Sequence, residues 1–216
     1  MHIFPSLIAA DPLNLKATLT LLDPVVDGYH IDIMDNHFVP NLTWGPFVVN
    51  AIATATIRPL WVHIMADKVL PLIKQLSLGQ GSLVSFHIEI DEDIRSVIKE
   101  IRNKHLLPGL AICPTTALED LYPYLELVDH ILIMSVQPGF SGQQFLPETW
   151  ERIKKISAYA YQKQIACKIM VDGGVNEQNI AQLAQLKVDA VAIANALFTS
   201  NQLATTYQEL KNRIRT

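Results

Sequence analysis

Eight times along the chain, a short run of β-branched and aliphatic residues is followed by a stretch with the apolar spacing of a helix. Strands are expected over 3–8, 28–34, 59–65, 83–88, 107–113, 129–135, 166–172 and 188–194. Helix starts fall between them. Asp11-Pro12 combines an N-cap with a proline at the first turn, and Leu13, Ala17 and Leu21 supply the stripe that follows. Gly45-Pro46 opens the next helix, and Val69, Leu72, Ile73 and Leu76 mark the one after. Further helices are expected over 91–103, over 118–125 with Thr116 as cap, over 147–162, from Asn176, and over 203–214. Strands alternating with helices pair in parallel through right-handed crossovers. Eight such units in 216 residues select an α/β chain closed as a (β/α)8 TIM barrel, one domain spanning 1–216. An open doubly wound sheet is the runner-up.

A barrel concentrates chemistry at the C-terminal ends of its strands. Those ends carry Ser6, His30, Asp32, Met34, His63, Met65, His87, Met134, Asp172 and Asn195, whereas the N-terminal ends are read as carrying nothing comparable. Period two puts Tyr29, Ile31 and Ile33 on one face of the second strand and His30, Asp32 and Met34 on the other. An imidazole beside a carboxylate is costly to bury unless something pairs with it, and a metal ion is a common partner. His63 on the third strand and Asp172 on the seventh repeat the pattern. The nitrogen and oxygen donors of His30, Asp32, His63 and Asp172 suit one divalent ion, Zn, Fe, Mn or Co. Such an ion stabilises an enediolate, and two carboxylates can serve as acid and base on its opposite faces. The outcome would be inversion at carbon.

A second set of residues suits an anion. Gly139, Ser141 and Gly142 follow the sixth strand, Gly173-Gly174 the seventh, and Ala194-Asn195 the eighth. Glycine-rich loops expose backbone N–H groups, and barrel phosphate sites sit after the last strands.

Composition removes other classes. The formal net charge of -4 gives no basic field for nucleic acid or an anionic membrane. No apolar run approaches the ~18 residues that span a bilayer. The start of the chain, Met1-His2-Ile3-Phe4-Pro5, does not resemble a secretory leader. Cys113 and Cys167 lack the spacing of a disulfide framework, so a reduced, cytoplasmic setting is expected. A homo-oligomer is compatible with a barrel of this size, though no interface is readable.

The run His30-Ile31-Asp32-Ile33-Met34-Asp35-Asn36-His37-Phe38-Val39-Pro40 resembles ribulose-phosphate 3-epimerases. So do Pro5-Ser6, Val62-His63-Ile64-Met65, Met134-Ser135-Val136, Pro138-Gly139-Phe140-Ser141-Gly142-Gln143 and Val171-Asp172-Gly173-Gly174. The resemblance runs essentially end to end. It implies a metal on His30, Asp32, His63 and Asp172, with Asp32 and Asp172 as the acid/base pair for D-ribulose 5-phosphate and D-xylulose 5-phosphate. It implies substrate contacts from Ser6, His63, Met34, Met65, Met134, Gly139, Phe140, Ser141, Gly142, Gly173, Gly174, Ala194 and Asn195. Three places depart from the family pattern. Asp35-Asn36-His37 stands for Asp-Gly-His, Gln137 for an asparagine, and Ala194-Asn195 for a Gly-Ser pair, where Asn195 is expected to replace a hydroxyl toward phosphate.

Blander expectations accompany these. His2, His105 and His130 are assigned to the surface or to strand entries, and His37 to the rim. His87 is expected to satisfy core neighbours, Trp61 to pack the barrel, and the cysteines to fill the core. Competing functions are a sibling epimerase for a ketohexulose phosphate such as allulose 6-phosphate, and a non-catalytic metal- or phosphate-binding barrel. A decarboxylase would place a lysine among the carboxylates, for which Lys168 is the candidate.

Overall fold

The computed structural model describes residues 1–214. It forms one sheet of eight parallel strands: β1 (His2–Pro5), β2 (Tyr29–Met34), β3 (Leu60–Met65), β4 (Leu83–His87), β5 (Leu107–Ile112), β6 (His130–Met134), β7 (Lys168–Asp172) and β8 (Ala190–Ile193). The hydrogen-bonded order is β1-β8-β7-β6-β5-β4-β3-β2, and the two end strands meet at a single bridge, Ser6 to His30. The fold is thus a nearly closed (β/α)8 barrel with a seam between β1 and β2. The expected span 1–216 includes Arg215 and Thr216, which lie outside the described residues.

Helices α1 (Leu15–Leu22), α2 (Pro46–Ala55), α3 (Leu70–Gln75), α4 (Ile94–Asn103), α5 (Thr149–Lys163), α6 (Ile180–Gln185), α7 (Asn195–Phe198) and α8 (Leu203–Arg213) wrap the strands. Alternation along each strand separates two cores. Ile31, Val62, Val84, Leu110, Ile131, Val171 and Val191 face outward into the main apolar cluster beneath the helices. Phe4, Trp61, Leu83, Leu132, Met170 and Ala190 face inward and fill the barrel. Trp61 is a packing residue, with its Nε1–H donated to Ser85 Oγ at 2.7 Å. Fully burying one large apolar side chain stabilises by ~1.5–3 kcal/mol, so both layers favour this register.

Several local expectations need correction. Residues 7–9 form a 3-10 turn rather than the end of the first strand. The β5–β6 crossover is two 3-10 segments, Leu118–Asp120 and Tyr122–Leu127, rather than an α-helix. Thr116 does not cap it, because its hydroxyl is donated to Glu89 Oε1 at 2.6 Å. The N-terminal end of the barrel holds a buried imidazole. His130 is a strand entry, the first residue of β6, and it is fully buried. Its ring fills the space left by Gly109 on the neighbouring strand, where a Cβ would lie 2.0 Å from Nε2.

Candidate metal and phosphate site

Ligand atoms of His30, which is the second residue of β2 rather than at its C-terminal end, of Asp32 and His63 farther along β2 and β3, and of Asp172 at the end of β7 all lie within 4.8 Å of one another. Parallel register sets the first pairing, since Asp32 stands opposite His63 across β2 and β3. Asp172 ends β7 opposite Met134 of β6. His30 Nδ1 lies 3.3 Å from Asp32 Oδ2, and its Nε2 lies 3.9 Å from Asp172 Oδ2. His63 Nδ1 lies 3.4 Å from Asp32 Oδ1 and 3.6 Å from Asp172 Oδ2.

Both histidines are fully buried, and Asp32 is nearly so. Burial alone would raise the Asp32 carboxyl, but His30 and then His63 hold it far below the carboxylate range. Burial likewise disfavours a His63 cation, yet Asp172 and Asp32 outweigh it and push that imidazole up to about 9. The space between these groups therefore favours positive charge. His30 Nε2 and His63 Nδ1 are buried without a hydrogen-bond partner. Each such orphan costs ~1–3 kcal/mol unless it finds one. Two orphaned imidazole nitrogens converging with two carboxylates fit a divalent cation, with softness compatible with Zn, Fe, Mn or Co.

Neighbouring groups fix this set. Ser6 Oγ donates to Asp32 Oδ2 at 2.8 Å and lies 3.2 Å from His30 Nδ1, so it braces two of the four residues. Trp61 meets the His30 ring edge-on at 4.6 Å. Thr43 donates to the Asp32 carbonyl at 2.6 Å, and Ser135 Oγ lies within donating distance of the Asp172 and Gly173 carbonyls.

Above the cluster opens a cavity of about 410 Å³. Ser6, Asp32, Met34, Met65, Met134, Gly139, Phe140, Ser141, Gly142, Asp172, Gly173, Gly174, Ala194 and Asn195 all line it. His30 and His63 lie behind that wall. Among the described residues the lining contains no lysine or arginine, so an anion kept away from Asp32 and Asp172 meets backbone N–H groups and neutral side chains. Lys168 sits exposed at the opposite end of β7 from Asp172, which leaves the lysine of a decarboxylase without a candidate in the cavity. Asn195 opens α7 and lies against Gly142, where an added Cβ would come within 2.8 Å of its Nδ2. Gly174, at φ +61°, presses on Phe145 so closely that an added Cβ would be 2.5 Å from its backbone nitrogen.

Sequence reasoning missed three features. α7 is only four residues long, too short for periodicity to reveal. Asn41 donates to the Gly139 carbonyl at 2.7 Å, tying the β2 loop to the β6 loop across the cavity. Lining residues Gln144 and Thr199 come from segments that no motif marks, and Gln143 and Asn176, though inside or beside marked stretches, were not assigned to the site. His37, by contrast, is exposed and turns its Nδ1 to the Asp35 carbonyl at 2.8 Å.

A model of the ribulose-phosphate 3-epimerase family matches residues 2–198. Ribulose-phosphate 3-epimerase of Helicobacter pylori (strain ATCC 700392 / 26695) is 34% identical over 212 residues, covering 98% of this chain and 97% of the relative. The enzyme of that name from Escherichia coli (strain K12) is 31% identical over 214 residues, covering 98% and 95%. The one from Chlamydia pneumoniae is 36% identical over 204 residues, covering 93% and 89%. Solved structures resemble the fold alone. KGPDC from Streptococcus mutans superposes with a TM-score of 0.70 at 10% identity, covering 99% of this chain and 97% of that one.

Proposed function

This chain belongs to the ribulose-phosphate 3-epimerase family, and on that premise we propose that it interconverts D-ribulose 5-phosphate and D-xylulose 5-phosphate by moving the proton at C3. The observation that carries this reading is the convergence of two carboxylates and two orphaned imidazole nitrogens beneath one cavity of sugar-phosphate size. His30, Asp32, His63 and Asp172 would hold the metal. When bound, a divalent ion there would supply Lewis-acid stabilisation of negative charge developing on the substrate, which lowers the cost of removing the C3 proton.

The chain's own groups supply the rest. Asp32 on β2 and Asp172 on β7 are separated around the barrel by β1 and β8. They reach a seated substrate from different sides. One carboxylate takes the C3 proton, leaving its electron pair in the enediolate. The other then gives a proton to the opposite face, and the configuration inverts. The reverse reaction exchanges their roles. Met34, Met65 and Met134 crowd the planar intermediate with polarisable groups that neither donate nor accept protons, and they exclude water. Phosphate lies toward Gly142, Gly173, Gly174 and the start of α7, with Asn195 donating from its amide where the family pattern has a hydroxyl. Exposed N–H groups at a helix start favour an anion. A cytoplasmic setting accords with two free cysteines.

The test is solvent deuterium exchange at C3 of ribulose 5-phosphate, followed by NMR before and after chelation. Metal-dependent exchange with appearance of xylulose 5-phosphate is expected. Exchange confined to allulose 6-phosphate would move the activity to the hexulose sibling and put the cause at Ala194-Asn195. The Asp172→Asn variant should stay folded by circular dichroism and lose ~10²–10⁴-fold in turnover, the usual worth of acid–base catalysis. Near-normal turnover in that variant would remove Asp172 from the mechanism.

A further inference from the structure

Behind the metal-facing residues runs a second string of polar groups, buried at His63 and His87 and half-buried at Glu89, that the reaction does not use. His63 offers Nδ1 toward Asp32 and Asp172 and turns Nε2 the other way, to 3.0 Å from His87 Nε2. The two rings are inclined by 27° with centroids 5.0 Å apart, so they meet edge to edge at their Nε2 atoms, and Phe38 covers His87 from 4.7 Å. His87 Nδ1 lies 3.0 Å from Glu89 Oε2. The other oxygen of Glu89 accepts from the Cys113 N–H at 2.8 Å and the Thr116 hydroxyl at 2.6 Å. Glu89 is thereby anchored to the end of β5 and does not reach the cavity.

Proton bookkeeping along this string has one solution compatible with metal binding. A neutral imidazole has one N–H donor and one lone pair. If His63 ligates through Nδ1, its proton is on Nε2, and the acceptor facing it is His87 Nε2. His87 then carries its own proton on Nδ1, aimed at the Glu89 carboxylate. We propose that His87 and Glu89 are positioning residues that hold His63 in the one tautomer able to present Nδ1 to a divalent metal. The proposal rests on the reading of His63 as a metal ligand. It extends the usual carboxylate–histidine–metal arrangement by one intervening imidazole.

His87, Glu89 and Cys113 also stand close enough to hold an ion of their own. Their polar atoms, however, already satisfy one another, and burial pushes the Cys113 thiol up to about 12, away from the thiolate a metal needs.

Two measurements on the full chain test the proposal. In the zinc-loaded wild type, two-bond ¹H–¹⁵N spectra should show His87 protonated at Nδ1 and bare at Nε2. The reverse tautomer would overturn the proposal, because His87 would then donate to His63 and drive its proton onto Nδ1. Second, zinc affinity is read by competition with a chromophoric chelator. Glu89→Ala and His87→Ala should each raise the zinc dissociation constant by ~10–100-fold, the usual effect of removing a ligand's outer partner. The double variant should lose little more than either single one, because both act through the same string. Glu89→Gln, which keeps an acceptor of the same reach, should fall nearer to wild type. Unchanged affinity in folded single variants would overturn the proposal. So would a second zinc per chain that disappears in Cys113→Ser. A wild type that binds zinc with this tautomer yet exchanges no C3 proton would refute the epimerase reading and leave the positioning string standing.

Discussion

At position 130 a fully buried imidazole accepts at Nε2 from the Ser85 hydroxyl, 2.7 Å away, while its Nδ1 has no partner. Burial first, then the charges of Lys168 and His63, push His130 down to about 3 from 6.5. The unfolded chain therefore binds a proton at this side chain that the folded barrel refuses between those two pH values. Stability contributed here is complete above about pH 6.5 and is lost as pH falls toward 3. His130→Gln keeps an acceptor for Ser85 without the titration. Urea unfolding from pH 7 to pH 4 should show the wild type losing stability faster than this variant. Parallel curves would mean that another group dominates acid unfolding. Position in the sequence identified His130 as a strand entry but could not bury it, because its cavity is made by Gly109 on the adjacent strand.

The loop after β2 shows how an element holds its shape with a non-glycine residue at a left-handed turn. Asn36 has φ 59°, in the left-handed region where glycine is at ease and asparagine is the best-tolerated alternative. Its N–H is donated to the Asn41 carbonyl at 2.9 Å, closing the loop, while Asp35 accepts from the N–H groups of His37, Phe38 and Asp67. Asn36→Gly should thus be nearly neutral, and Asn36→Ala should cost ~1–2 kcal/mol for a β-carbon in that conformation. Urea midpoints of the two variants check this; equal midpoints would show that the loop relaxes out of the left-handed turn. The strands and most helices were legible because periodicity is a property of each segment alone. The β5–β6 crossover was not. Thr116 has the residue type of a cap, but Glu89 from the turn after β4 takes its hydroxyl.

For the whole molecule, the decisive joint is the seam. β1 and β2 share one backbone bridge at Ser6 and His30, beside the metal cluster. Lower down, Asp27 closes the gap with its side chain. It accepts from the Ile3 N–H at 2.9 Å and the Tyr207 hydroxyl at 3.1 Å, and it pairs with Lys211 of α8. Burial raises this carboxyl, but Lys211 and the Ile3 N–H outweigh it and hold it below its ordinary value. Asp27→Ala should cost ~2–3 kcal/mol, the scale of hydrogen bonds to a charged group. That corresponds to a melting temperature lower by roughly 5–10 °C for a domain of this size. Amide exchange in β1 should quicken with it, and an unchanged melting temperature would show that the bridge at Ser6 suffices. The sequence by itself determined the strand–helix repeat, the inward and outward faces, and the four residues gathered on β2, β3 and β7, because these follow from local spacing and parallel topology. Tertiary structure decided what distances and neighbours decide: the orphaned nitrogens of His30 and His63, the burial of His130, the His63–His87–Glu89 string, the loops tied by Asn41, and the seam held by Asp27. Each joins residues far apart in the chain, and no local pattern encodes such a meeting.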